Sequence, residues 1–261
     1  LGVAGAVLQG VFGNPLADPG IIGVSSGAAL GAVAAIALGL TTGSIFYMPL
    51  LALAGSLLAV AVTVGLALRQ GKIPAVTLLL AGVAVSMFLN ALTAAVLTFM
   101  NEQRMHQFLF WLVGGLDYRR WEHVYLAVGP VLAGIFILCL LARQLNILVL
   151  GETEARAVGM PVATLRLVLL LGSTVTTAAA VCVSGSIGFV GLLVPHIMRL
   201  LLGPDHRTLL PACALAGGLF LVGCDTLGRL IMPPAEIRVG IVTAVTGAPY
   251  FLYLLRRTGE E

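Results

Sequence analysis

Apolar residues fill this chain in long blocks separated by short polar punctuation, the pattern expected of helices that cross a bilayer. A crossing takes about 20 apolar residues, and the blocks divide into roughly nine such stretches. Beyond the opening block, spans are predicted over residues 20–40, 46–68, 74–100, 121–141, 164–184, 188–202, 208–231 and 239–255. Two segments fall outside the pattern. Residues 101–121 are too polar to cross, and Phe108, Phe110, Trp111 and Trp121 suit a helix lying at the outer membrane surface. Residues 144–161 form the longest polar interruption of the second half. Acids lead it at Glu152 and Glu154, and Gly159 and Pro161 close it, which predicts a short helix.

The stretch expected to organise the fold is QGVFGNPLADPGIIGVSSGAALG, residues 9–31. Pro15 and Pro19 prevent a continuous helix, so residues 14–20 should form a re-entrant or membrane-edge turn. Gly23, Gly27 and Gly31 then recur every four residues, leaving one helical face bare for a neighbouring backbone.

Composition settles the broad class. With 59% hydrophobic and 10% charged residues and a mean hydropathy of +1.08, the chain has too little polar surface for a water-soluble globule. An all-α polytopic membrane bundle forming a single domain over residues 1–261 is expected. The net charge of +3 is dispersed at span ends, which gives nucleic-acid binding no support. Alternating the spans places Arg69, Lys72, Arg143, Arg156, Arg166, Arg199, Arg207, Arg256 and Arg257 inside. Arg104, Arg119, Arg120, Arg229 and Arg238 then lie outside. Cys139, Cys182, Cys213 and Cys224 stand singly in apolar sequence and read as buried small hydrophobes.

Catalytic chemistry has little to stand on. The chain has no H-E-x-x-H, no G-x-x-x-x-G-K-[ST] and no G-x-S-x-G, so no catalytic, metal or nucleotide site is predicted. If ATP drives this protein, a separate subunit must hydrolyse it. Secondary transporters and channels of a different class would show paired acids or broken half-helices at mid-membrane. Glu122 and Asp225, each near a span end, are the two acids inside predicted spans, and neither stands at mid-membrane.

Several polar positions require a reading. His196 and Arg199 lie on adjacent helical positions near the inner end of a span; a structural role is expected, with Arg199 reaching the interface and His196 meeting a backbone carbonyl. Asp205 should cap the following helix. Asp225 and Arg229, four residues apart, can pair with each other. Ser86, Asn90 and Thr93 share one face, as do Gly240, Thr243 and Gly247; each stripe is either small-residue packing or the lining of a path.

Two blocks of residues add a family resemblance. NPLA at 14–17, DP at 18–19 and GVSSGA at 23–28, together with GFVGLLVPHIMR at 188–199, GPDHR at 203–207 and DTLGR at 225–229, resemble the signatures of the FecCD permeases. These are membrane subunits of ATP-driven importers for iron-siderophores, haem and cobalamin. The likeness runs over nearly the whole chain and implies a type II importer permease in the bacterial inner membrane, with about nine of ten family helices present and the N-terminal one missing. It implies a homodimer with two ATP-binding-cassette subunits, which hold ATP and Mg, and an extracytoplasmic binding protein; this chain itself would bind no cofactor. By frequency the cargo is an iron-siderophore or haem, with cobalamin as the alternative.

The resemblance also assigns residues. Glu152, Ala155, Arg156, Ala157 and Gly159 match the helix that couples to the ATPase, a segment whose residues taken alone read as a solvated loop helix. Asn14 and Leu16 match a cytoplasmic gate, and Ser86, Asn90, Thr93 and Thr243 match the translocation path. Arg229, with Arg119 and Arg120, matches the docking surface for the binding protein. Two departures stand out: Arg238 occupies a position that is usually proline, and Ala75 and Val76 lack the hydroxyls expected near the gate.

Overall fold

The computed structural model describes residues 1–68, 73–231 and 236–258, with side chains to residue 250. Arg69, Lys72, Pro233 and the side chains of Arg256 and Arg257 lie outside the described residues. The described chain is helical, in the order α1 (Gly2–Phe12), α2 (Val24–Ala37), α3 (Tyr47–Ala67), α4 (Ala75–Thr98), α5 (Glu102–Val113), α6 (Trp121–Leu140), α7 (Ala142–Leu150), α8 (Glu152–Ala157), α9 (Val162–Ser184), α10 (Val190–Leu202), α11 (His206–Leu230) and α12 (Val239–Thr258). Five of these, α3, α4, α6, α9 and α11, are long and apolar enough to cross a membrane. The chain is a multi-pass integral membrane protein.

Several spans are shorter than their apolar blocks. The predicted span 20–40 contains only the 14-residue α2, about 21 Å long at 1.5 Å per residue, against a hydrocarbon core of about 30 Å. Glycines in the left-handed region set these limits. Gly13 (φ 58) caps α1 through N–H bonds to the Gln9 and Gly10 carbonyls, and Gly23 (φ 97) and Gly39 (φ 69) bracket α2. Between α1 and α2 the chain turns back on itself. Asn14 Oδ1 accepts from Leu16 N–H at 2.9 Å, and Asp18 caps the 3-10 turn Pro19–Ile22 by accepting from Gly20 N–H at 2.8 Å.

The bare helical face is real at two of its three positions. A Cβ on Gly27 would collide with the Gly55 carbonyl of α3, and one on Gly31 with the Leu51 carbonyl. Ser56 completes the crossing by donating to the Val24 carbonyl at 2.9 Å. Gly23 differs: a Cβ there would meet Ala59, Thr63 and Val85 only at ordinary van der Waals distance, and the backbone angle is what demands glycine.

The most buried helices are α1, α2 and α9, and α2 packs on α3, α4, α5 and α9. Residues 2–9 of α1 are buried throughout, and α9 buries most of its length against α1, α3 and α6. The larger apolar core joins α1, α7, α9 and α11, and a smaller one joins α2 to α5. Phe108 and Trp111, expected at the membrane interface, belong to the smaller core, stacked at 6.3 Å, whereas Phe110 and Trp121 are exposed as predicted. Three glycines allow this insertion of α5. Gly114 abuts the Ser186 carbonyl, Gly185 the Trp111 carbonyl and Gly240 the Val113 carbonyl, each too closely for a side chain. Of the four cysteines, Cys182, Cys213 and Cys224 are buried, Cys139 is partly so, and all are free.

Candidate functional site

Polar side chains gather at the two ends of the bundle. One end carries α7, α8, the start of α9 and the α10–α11 turn; the other carries α5, the loop before α6 and the α11–α12 junction.

At the first end α8 projects as a six-residue helix. Gly159 (φ 77) and the Met160 N–H bond to the Ala155 carbonyl close it. Glu152 is held twice, by Arg156 at 3.2 Å on the same helix and by Arg166 of α9 at 2.8 Å. The hydrogen bond from Arg166 holds the Glu152 carboxyl below the usual glutamate range. Because its folded value is depressed, this pairing contributes above the ordinary pKa of 4.5 and is lost as pH falls through the lower one. A carboxyl carbon NMR titration of Glu152 should therefore place its midpoint below 4.5; a midpoint above 4.5 would remove the pair.

The predicted coupling residues divide between two faces. Ala155 is fully buried in the larger core and cannot meet an external partner, which corrects its assignment to a contact surface. Ala157 and Gly159 are exposed, and so is Val158 at 67%, an apolar tip that the sequence reading passed over.

Asn146 of α7 fastens this end to α11. Its Nδ2 donates to Asp205 Oδ1 at 2.6 Å, which fixes the amide so that Oδ1 accepts from His206 N–H (2.9 Å) and faces its Nδ1 (2.7 Å). His206 Nδ1 therefore carries the ring proton. Asp205 caps α11 as predicted, and the Arg207 N–H, then Asn146, hold its carboxyl below the usual range. The gate candidates sit in the turn after α1: Asn14 spends its side-chain oxygen on Leu16 N–H, and Leu16 is exposed.

His196 and Arg199 depart from expectation. His196 meets no carbonyl; its ring packs edge-on against Tyr250 at 6.0 Å, and Nε2 is buried without a hydrogen-bond partner among the described residues. Arg199 turns inward rather than to the interface and donates to Gln9 Oε1 at 3.0 Å.

The path candidates are not brought together within one chain. Ser86 shares a hydrogen bond with Ser26 at 3.2 Å, Thr93 donates to the Leu89 carbonyl at 2.9 Å, and Asn90 is exposed. Thr243 is fully buried and donates to the Gly240 carbonyl, while Gly240 and Gly247 pack tightly on Val113 and Phe189.

At the second end Arg229 Nε pairs with Asp225 at 2.8 Å. Arg119, whose side chain approaches the Gly115 carbonyl, has its pKa lowered by burial, and Arg120 is exposed at the start of α6. The substituted Arg238 locks the loop: it pairs with Asp117 at 3.1 Å, donates to the Phe110 carbonyl at 2.9 Å and lies 4.6 Å over the Phe110 ring. With Glu236, Asp225 and Arg229 these groups line a cavity of about 210 Å³. No cluster suited to a metal ion occurs among the described residues.

Known proteins place this arrangement. The FecCD transport family matches residues 1–257. The chain is 47% identical to the cobalamin import system permease BtuC of Halobacterium salinarum, covering 98% of this chain and 68% of that one. It is 41% identical to the hemin transport system permease HmuU of Yersinia pestis, covering 100% and 79%. Among solved structures, an inward-facing conformation of a transporter assigned to the metal-chelate type of ABC transporter superposes with a TM-score of 0.92 at 34% identity, over 98% of this chain and 81% of that one. PsaBC from Streptococcus pneumoniae shares the fold, with a TM-score of 0.61 at 21% identity over 97% and 85%.

Proposed function

The chain belongs to the FecCD transport family, and from that premise we propose that it is the permease subunit of an ATP-driven importer for a metal chelate in the bacterial inner membrane. The supporting observation is likeness over the whole chain, in sequence to cobalamin and hemin permeases and in fold to a metal-chelate type transporter. Two copies of the chain enclose the path, two ATPase subunits bind ATP and Mg on the cytoplasmic side, and a binding protein delivers the cargo outside. The ATPase seats on the exposed face of α8, at Arg156, Ala157, Val158 and Gly159. Asn14 and Leu16 close the inner mouth. The path runs past Ser86, Asn90 and Thr93, and Thr243 reaches it only if α12 shifts, since it is buried in this conformation. Arg229, Arg119 and Arg120 meet acidic groups of the binding protein.

The cargo is haem, an iron-siderophore or cobalamin, and direct uptake decides between them. Permease reconstituted in vesicles with its cognate ATPase and loaded binding protein should accumulate one of these chelates only when ATP is present on the ATPase side. Accumulation indifferent to ATP and driven by an ion gradient would overturn the assignment.

A further inference from the structure

We propose that Arg166 is a positioning residue that makes α8 and the entrance to α4 move as one piece. This rests on the reading that α8 receives the ATPase, and it names the route by which that motion reaches α4.

Arg166 lies near the start of α9 and is only 8% exposed. A single nitrogen, Nη1, meets both Glu152 Oε1 of α8 at 2.8 Å and the Ile73 carbonyl at 3.0 Å. Ile73 is buried and stands immediately before Pro74, the extended residue that caps α4. Its carbonyl lies outside the helix and needs an outside donor, because a buried carbonyl left unpaired is costly. Arg166 supplies that donor, across 93 residues of sequence.

Packing alone does not join the two elements. A cavity of about 150 Å³ occupies their junction, lined by Ile73, Pro74, Glu152, Arg156, Val162 and Arg166. A six-residue helix has no independent stability, so its position follows from what holds it. Ala155 anchors α8 to the core, and the guanidinium is what joins it to α4. The geometry favours arginine: its planar Nη1 aims two N–H donors at fixed angles, one at the carboxylate and one at the carbonyl, whereas a lysine ammonium on a flexible stem is a less directional bridge. A displacement of α8 then passes through Glu152 and Arg166 to Ile73 and along α4, the helix that carries Ser86 and Asn90.

The test places spin labels at Thr153, exposed on α8, and Val76, exposed at the start of α4, in permease held in nanodiscs and diluted with unlabelled protein. The wild type should give one narrow distance distribution that survives addition of the ATPase with and without ATP. Arg166→Met should broaden it, and Arg166→Lys should fall between the two. In the full complex, chelate taken up per ATP hydrolysed should drop about fivefold or more in Arg166→Met, the low end of a site-to-site coupling. A distribution as narrow in Arg166→Met as in wild type overturns the proposal, as does an unchanged ratio of uptake to hydrolysis. If Arg166→Met does not fold, Arg166→Lys carries the same decision. Lack of ATP-dependent uptake by the wild type would instead refute the importer assignment, and the distances in the permease alone would still decide the link.

Discussion

Gly31→Val should abolish the folded permease, whereas Gly65→Ala, also at a glycine of a bundle helix, should be harmless. Even the first carbon of a side chain at Gly31 would overlap the Leu51 carbonyl and crowd the Ala52 backbone. No rotamer relieves a collision between Cβ and backbone, so α2 and α3 must separate. Separation also opens the neighbouring contact, where Gly27 and Gly55 each abut the other's carbonyl, and strains the Ser56 bond to Val24. Overpacking of a tight core costs about 1–3 kcal/mol when side chains can shift, and this site lacks that freedom, so a loss above about 3 kcal/mol is expected. At Gly65 nothing lies within 4 Å of the added carbon, and alanine gains about 1 kcal/mol of helix propensity. Monodispersity and thermal unfolding in detergent check the pair. A Gly31→Val protein that melts within about 2 °C of wild type, less than 1 kcal/mol at this size, would show that the α2–α3 contact is not tight.

What the sequence made legible follows from what is local. The polar gap and its punctuation located α8 to within two residues, Asp205 capped the predicted helix, and Asp225 paired with Arg229 one turn away. The four-residue glycine spacing found the close face of α2 because an α-helix repeats nearly on that period. Local pattern could not say which face of α8 turns inward, since a six-residue helix contains too few positions to define an apolar stripe; Ala155 and Ala157 look alike in sequence and have opposite fates. Nor could it shorten the span predicted over 20–40, because the apolar run continues through Gly23 although the backbone there leaves the helix. The bonds of Arg166 to Ile73 and of Arg199 to Gln9 cross 93 and 190 residues, and no periodicity connects such partners.

The Arg199 bond leads to an asymmetric prediction. Gln9→Leu and Arg199→Met both cut the same 3.0 Å hydrogen bond, but Gln9→Leu should be far more damaging. Gln9 is 3% exposed and spends both ends of its amide, accepting from Arg199 and donating from Nε2 to the Gly191 carbonyl at 3.2 Å. Leucine fills the volume, leaves a partly buried guanidinium with no acceptor among the described residues and strands the Gly191 carbonyl, together a loss of about 3–5 kcal/mol from a charged hydrogen bond and an unsatisfied carbonyl. Methionine at position 199 instead removes the charge. The orphaned Gln9 oxygen costs about 1–3 kcal/mol, offset in part because no ion remains to be desolvated. The double variant Gln9→Leu/Arg199→Met should thus be more stable than Gln9→Leu alone, so that a second substitution repairs the first. Denaturant unfolding of the three variants in lipid bicelles measures this interaction directly. If Arg199 reached the membrane edge, as its place near a span end suggests, its head group would stay solvated. Gln9→Leu would then be mild and the two changes would simply add, an outcome that would exclude the inward pairing and with it the Gln9 link between α1 and α10.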